Sequence, residues 1–542
     1  YAPGDTVRFR LNLNNVPVGA QLKVQYFIEG RLLTDEIIPL KKRKSVEWNW
    51  LPPATDFRGY LAGITIQQSQ QILDRTTIAV DVSSDWKMFP RYGFVSAYSI
   101  MTDEEIHNVI ARLNRLHING IQFYDWHNSH HRPLKIDSTG VAESWNDIAN
   151  RINYRETIEK YLATAHEFGM SCLAYNLICG AWTEGFQEGL SPEWGLYKDA
   201  AHQNPFVLRL PKGWASDIYF MNPANPAWRE YIFSSTAAVF EVLDFDGWHV
   251  DQIGDLGVLY TYDGQPLELK TTYQPFLQAA QDCLKKKIVM NAVGNYAQAE
   301  IAQAPVEFLY TEIWNPDSTF NDLVRILDYN YQVSGCHNTI LAAYMNYNLS
   351  SRPGIFNTPG VLLTDAVIFA NGGAHLEMGD HMLCHEYFPN ANLLINPNLD
   401  SALTCYYDFS VAYENLLRNP ALQKTLLKLE ARQFSLSSQA EKGQIWTITH
   451  KLDNRDIIHL INLLDVKNLN WRDPEGNCPE PLLRRDVAMT MRSGKKVQSI
   501  TLASPDWEGG RPIPIMFKQK NERITFTIPQ LKYWDMLIVE YR

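Results

Sequence analysis

The chain has 542 residues, enough for about three or four domains at roughly 150 residues each, so a single small binding module is excluded. Apolar residues make up 45% and charged residues 20%, while 49 basic against 60 acidic residues leave a net charge of -11, which argues against nucleic acid or an anionic membrane as partner. Aromatic residues reach 12%, with Trp 15 and Tyr 27, and an excess of rings on an acidic chain suits a neutral ligand such as a sugar.

Residues 1–86 read as short strands. Val7, Phe9, Leu11 and Leu13 alternate with polar residues, as do Leu22, Val24 and Tyr26, and the period of two returns over 77–82. Prolines and glycines punctuate the runs, and a small immunoglobulin-like β-sandwich is expected.

From about residue 87 to 425 strand and helix alternate, the pattern of parallel βα units. Strands are predicted over 91–96, 120–124, 170–175, 247–251, 288–291, 308–312, 339–345 and 374–377. Thr102-Asp-Glu-Glu105 reads as a capping box, in which hydroxyl and carboxylate satisfy each other's free backbone N–H groups at a helix start. Ile106, Val109, Ile110 and Leu113 follow at helical spacing. A further helix is predicted over 157–168, closing at Gly169, and another after the Asn225-Pro226 cap. Eight such units predict an α/β fold of the (β/α)8 TIM-barrel type with long loop insertions. No GxGxxG or Walker A loop supports the rival, an open nucleotide-binding sheet.

After residue 425 strands return, predicted over 443–449, 456–464, 497–502, 513–517, 524–528 and 536–541. A C-terminal antiparallel β-sandwich over 426–542 completes the order, and the three parts are expected to pack as one body, a monomer. The seven cysteines, at 172, 179, 283, 336, 384, 405 and 478, show no CxxC or Cys/His metal spacing and are expected as buried thiols. No stretch approaches the roughly 18 apolar residues of a membrane-spanning helix, so no membrane insertion is expected. The chain starts at Tyr1 without Met, which favours a processed, exported protein, secreted, periplasmic or at the cell surface.

In barrels of this type the chemistry sits where strand ends and βα loops converge. The predicted strand ends bring Asp125, Asp251, Glu312, Asn346 and Glu377 to one mouth. Asp251 closes the apolar run Gly247-Trp-His249-Val, though a strand-end Asp also serves as a helix cap, and His249 also fits simple packing. Glu312 has Tyr310 and Trp314 beside it, apolar contacts that raise a carboxyl pKa and keep a general acid protonated. Two such carboxyls suit glycoside hydrolysis: one protonates the leaving oxygen, the other attacks the anomeric carbon or activates water, and their separation decides between retention and inversion.

A second cluster, Phe123-Tyr-Asp-Trp-His-Asn-Ser-His-His-Arg-Pro133, follows the second strand. His127, His130 and His131 are candidate metal ligands, but two adjacent histidines do not readily face one ion, and no metal or cofactor is expected. The preferred reading is a sugar-binding loop, with Tyr124 and Trp126 stacking on sugar faces and Asp125 and the imidazoles on hydroxyls. Trp145, Trp182, Trp194 and Trp214 lie in the long loops after the second and third strands, where they either pack or form further subsites.

The segments FYDWHNSHHRP, DGWHVDQIGD, LYTEIWNP and the terminal Leu531-Lys-Tyr-Trp-Asp-Met resemble glycoside hydrolase family 66, the dextranases and cycloisodextran glucanotransferases, over essentially the whole chain. The resemblance implies Asp251 as nucleophile and Glu312 as acid/base in a retaining reaction on α-1,6-linked glucan, with dextran and isomaltooligosaccharides as partners. Tyr98, Asp125, Trp126, His127, His249, Trp314, Tyr344, Asn346 and Glu377 are the expected substrate-binding residues. Cyclising members of the family carry a carbohydrate-binding module inserted in the barrel, and no comparable insertion is visible here. An endo-dextranase is therefore expected, with a cycloisodextran glucanotransferase or a non-catalytic glucan-binding protein as alternatives.

Overall fold

In a computed structural model, described for all residues except 15, 18, 41–43, 70, 139 and 337, eight parallel strands form one sheet. They are β1 (Tyr92–Val95), β2 (Gly120–Phe123), β3 (Ser171–Leu177), β4 (Gly247–Asp251), β5 (Lys287–Val293), β6 (Leu309–Glu312), β7 (Ile340–Ala342) and β8 (Ala374–His375). Each pairs with the next in chain order. All eight predicted strands are present. The ring closes just beyond β8, where the Phe94 amide donates to the Met378 carbonyl at 3.2 Å and Phe94 bridges Gly379 in parallel. A Cβ at Gly379 would lie 2.5 Å from the Phe94 carbonyl, so closure requires glycine there.

The helices follow the strands: α1 (Asp103–Arg115), α2 (Arg155–Glu167), α3 (Pro226–Val242), α4 (Lys270–Leu284), α5 (Gln298–Ile301), α6 (Phe320–Ser334), α7 (Thr358–Ala370) and α8 (Pro397–Ala412). The Thr102–Glu105 capping box opens α1 and Asn225 caps α3 as expected. The β3–α3 excursion folds its own three-stranded antiparallel sheet. Helix α7 is buried on every side, because the C-terminal sheets cover the face turned away from the barrel.

Two antiparallel sheets precede the barrel: Val7–Asn12 pairs with Ser45–Trp50, and four strands run in the order Arg31–Pro39, Gln21–Ile28, Arg58–Gln68, Gln71–Val82. Their core is aromatic, with the Trp48 indole donating to the Tyr26 hydroxyl at 2.9 Å and that hydroxyl donating to Glu36 at 2.7 Å. After the barrel, a larger sheet holding Ile445–Leu452, Arg455–Asn462, Trp534–Tyr541 and Val497–Ala503 packs on a four-stranded one holding Arg484–Arg492 and Arg523–Leu531. The strand Arg484–Arg492 had not been anticipated, although Val487, Met489 and Met491 carry the alternation. Of the seven cysteines, three are buried and Cys283 is exposed, so the expectation of uniformly buried thiols fails.

Arg91 ties the parts together from the base of β1. It is buried, pairs with Asp81 of the N-terminal sheets, reaches Glu414 at 3.3 Å, and donates to the carbonyls of Phe89 and His117. Removing one partner of a buried ion pair strands the others without compensation. Arg91→Ala should therefore lower the free energy of unfolding by about 3–5 kcal/mol, measured by urea titration; a loss below about 1 kcal/mol would show the pair behaves as a surface one.

Candidate active site

The site lies at the C-terminal ends of β4, β5 and β6. Gly247 lets β4 approach β5 closely, since a Cβ there would come 2.2 Å from the Lys287 carbonyl. Alternation along β4 then points His249 and Asp251 to one side, and along β6 Tyr310 and Glu312. Asp251 Oδ2 accepts from the Tyr175 hydroxyl at 2.8 Å and Oδ1 from Asn291 Nδ2 at 2.8 Å. The same Asn291 nitrogen donates to Glu312 Oε2 at 2.9 Å, and the Tyr344 hydroxyl donates to Glu312 Oε1 at 2.7 Å. Two oxygens held by one nitrogen lie within the sum of those bonds of each other. The two carboxyls are thus close neighbours, as glycoside hydrolysis by a carboxyl pair requires.

Electrostatics separates the two carboxyls. Burial, then the neighbouring Asp251 charge, push Glu312 up to about 7, against the hydrogen bonds from Tyr344 and Asn291 and the nearby Trp314 side chain. Burial also raises Asp251, but Tyr175, Asn291 and the Gln252 backbone N–H favour its ionised form. Of the two, Glu312 is the carboxyl that more strongly favours its proton near neutrality. Asp125, in a left-handed backbone conformation just past β2, is pushed up to about 8, by burial first and then by Asp147 and Asp251 against Arg151.

Of the expected sugar-binding residues, Tyr344 and Trp314 stand at Glu312, and Asp125 is close enough to Asp251 to feel its charge. The others lie elsewhere. Tyr98 is buried with its hydroxyl on the Val95 carbonyl. Trp126 packs on Trp145 and Phe245, its indole N–H donating to the Tyr175 carbonyl at 3.2 Å. His127 lies behind Tyr175, ring parallel to it, with both nitrogens unpartnered and burial pushing it down to about 4. His249 fills the barrel interior between Tyr92, Tyr175 and Tyr310, pushed down by burial to about 3. Asn346 gives its amide to Asp473 of the C-terminal region at 2.7 Å. Trp145 and Trp182 are buried, whereas Trp194 and Trp214 are partly exposed.

Glu377 sits in a closed polar cluster. Tyr407 donates to its Oε1 at 3.0 Å, and His375 Nδ1 lies 2.7 Å from Asp365 and 3.5 Å from Glu377. His375 Nε2 lies 2.8 Å from the Ala343 carbonyl, and burial holds Asp365 well above the carboxylate range. Among the described residues this cluster and His166–Cys172–Asp246 are the groups whose spacing would suit a cation.

Asn291 and Tyr175, which hold the pair, were not singled out in the sequence. Asn291 closes the predicted 288–291 strand, so the strand-end rule reaches it, but an amide does not titrate and carries no acid/base signal.

The model of glycosyl hydrolase family 66 matches residues 1–538. The chain belongs to this family. The cycloisomaltooligosaccharide glucanotransferase of Niallia circulans is 25% identical over 700 positions, covering 100% of this chain and 71% of the relative. A dextranase of Streptococcus salivarius is 23% identical, covering 92% of this chain and 69% of the relative. The structure of a Paenibacillus sp. cycloisomaltooligosaccharide glucanotransferase complexed with cycloisomaltoheptaose superposes with a TM-score of 0.92 at 25% identity, over 99% of this chain and 98% of that one. A maltogenic α-amylase of Thermotoga neapolitana shares the fold alone, with a TM-score of 0.51 at 14% identity over 84% of this chain and 99% of that one. The family 66 chain is thus a glycosidase-family protein built on an eight-stranded parallel barrel flanked by antiparallel sheets.

Burial holds Glu377 at about 8, far above its unfolded value. The folded state thus binds the extra proton, and its stabilising contribution is complete below the unfolded pKa and lost as pH rises through about 8. Glu377→Gln keeps the acceptor for Tyr407 without the ionisation. Its melting temperature should fall less than that of the parent between about pH 5 and about pH 8; parallel melting curves would refute the buried proton.

Proposed function

We propose that the protein is an endo-dextranase, hydrolysing α-1,6-glucosidic linkages of dextran to isomaltooligosaccharides with retention of configuration. The observation that supports this reading is the Asn291 amide shared by Asp251 and Glu312, which keeps the two carboxyls close neighbours, in keeping with a double displacement. Glu312, protonated, gives its proton to the glycosidic oxygen as Asp251 attacks C1. The C1–O bond breaks, the leaving chain departs with the proton, and a β-linked glycosyl ester forms on Asp251. Ionised Glu312 then takes a proton from water as that water attacks C1, the ester bond breaks, and the α product leaves with Asp251 regenerated. Tyr175 and Asn291 orient the attacking carboxylate, and Trp314, Tyr344 and Asp125 line the approach.

The relatives named as dextranase and as cycloisomaltooligosaccharide glucanotransferase support an α-1,6-glucan as substrate. Hydrolysis over cyclisation is supported by length: the alignment with the glucanotransferase runs over 700 positions, more than the 542 residues of this chain can fill, so that relative carries inserted residues missing here. Cyclisation is the second reading, favoured by the close superposition on the glucanotransferase. A polymeric glucan is met outside the cell, in keeping with a secreted, periplasmic or surface enzyme.

Incubation with dextran should release linear isomaltooligosaccharides; cyclic products would move the assignment to transfer, and binding without cleavage to a glucan-binding protein. Asp251→Asn and Glu312→Gln should each lower kcat by about 10²–10⁴-fold or more. The pH profile should fall on its alkaline side near the value of about 7 held by Glu312, because the protonated form is the active one. Azide should rescue Asp251→Ala as a β-glycosyl azide and Glu312→Ala as the α-azide; the opposite pattern would exchange their roles.

A further inference from the structure

The segment 463–483 joins two strands of the C-terminal sheets, Arg455–Asn462 and Arg484–Arg492, yet it reaches the barrel mouth. Trp471 is fully buried there, its indole N–H donating to the Asp317 carbonyl at 2.9 Å and its own carbonyl accepting from Thr364 of α7 at 2.7 Å. The Asn346 backbone N–H donates to the Arg472 carbonyl at 2.9 Å, and Asp473 accepts from Asn357 at 2.6 Å. The segment is thus clamped on both sides of Arg472.

The Arg472 side chain lies over the ring of Trp314 at 5.3 Å and that of Tyr347 at 5.1 Å, and its Nη2 donates to the Ile313 carbonyl at 2.8 Å. Ile313 follows Glu312 directly, and the Trp314 side chain lies close enough to Glu312 to favour its ionised form. A planar guanidinium can stack and donate in fixed directions at once, which an ammonium cannot. We propose that Arg472 is a positioning residue for the acid at the barrel mouth, fixing the 313–314 backbone and the Trp314 ring so that Glu312 stands at the proton-transfer geometry and feels a permanent cation.

This rests on Glu312 being the general acid. The titratable and charged groups facing Glu312 are Asp251 from β4, Tyr310 on its own strand, Tyr124 after β2, Tyr344 and Tyr347 after β7, and Arg472. Arg472 in turn faces Tyr344, Tyr347 and Glu386. It is the one cation in that set, so its removal favours the protonated acid and moves the alkaline limb of the pH profile upward.

The test compares the parent, Arg472→Ala, Arg472→Lys and Glu312→Gln on dextran and on 2,4-dinitrophenyl α-isomaltoside, whose leaving group departs without protonation. Arg472→Ala should lower kcat on dextran by about 10–100-fold, the cost of a misplaced catalytic group. Its KM should change little, its alkaline limb should move to higher pH, and its kcat/KM on the dinitrophenyl substrate, which reports bond cleavage without acid assistance, should remain close to the parent. Arg472→Lys should return the limb to the parent position without restoring kcat, and it carries the test if the alanine variant fails to fold. An unmoved limb in Arg472→Ala, an equal loss on both substrates, or a loss confined to KM overturns the inference. Glu312→Gln with the alkaline limb still in place would overturn the acid assignment itself, independently of Arg472.

Discussion

Two carboxyls reached by a single amide nitrogen, in a pocket largely closed to water, cannot both be charged cheaply. At about 5.5 Å and an effective dielectric near 20, two unit charges repel by roughly 3 kcal/mol, in addition to the cost of burial. The site settles this by asymmetry. Both accept from a phenol and from the same amide, but Asp251 also receives a backbone N–H while Glu312 lies deeper and beside the Asp251 charge, so the proton is favoured on Glu312. Two groups of the same chemistry are thus distinguished by their surroundings.

The barrel interior beneath the pair maintains that arrangement. Tyr92, His249 and Tyr310 pack ring against ring, and burial holds each in its neutral form. The aromatic excess of the composition is spent largely here and in the sheet cores, with only a few rings, Trp314 among them, left at the mouth.

The strands and both central carboxyls were legible in the sequence because inside a strand the pleat fixes which side chains share a face. That rule ends with the strand. Asn346 and Glu377 lie beyond β7 and β8, whose ends come earlier than the alternation indicated, and there the loop decides direction. At Asp125 a left-handed residue interrupts the alternation, and Trp126 turns into the core instead of facing a ligand. Helix α7 offers no amphipathic stripe because both its sides are covered, and Arg472 was out of reach because it meets the mouth from a loop some 160 positions after Glu312 in a region that reads only as strands.

The N-terminal sheets touch the C-terminal ones directly: Arg31 pairs with Glu540, Arg75 with Glu508, Glu29 with Arg455, and the Thr65 hydroxyl accepts from Arg511. The N-terminal strands thus pair with residues 426 to 509 positions later. At about 5–20 residues per second, roughly half a minute to a minute and a half passes before those partners exist. Through that interval Glu29, Arg31, Thr65 and Arg75 lack the groups that meet them in the folded chain, and the sheet surface they occupy stands open to other chains. The order of synthesis thus adds a window of exposure that the finished architecture no longer has.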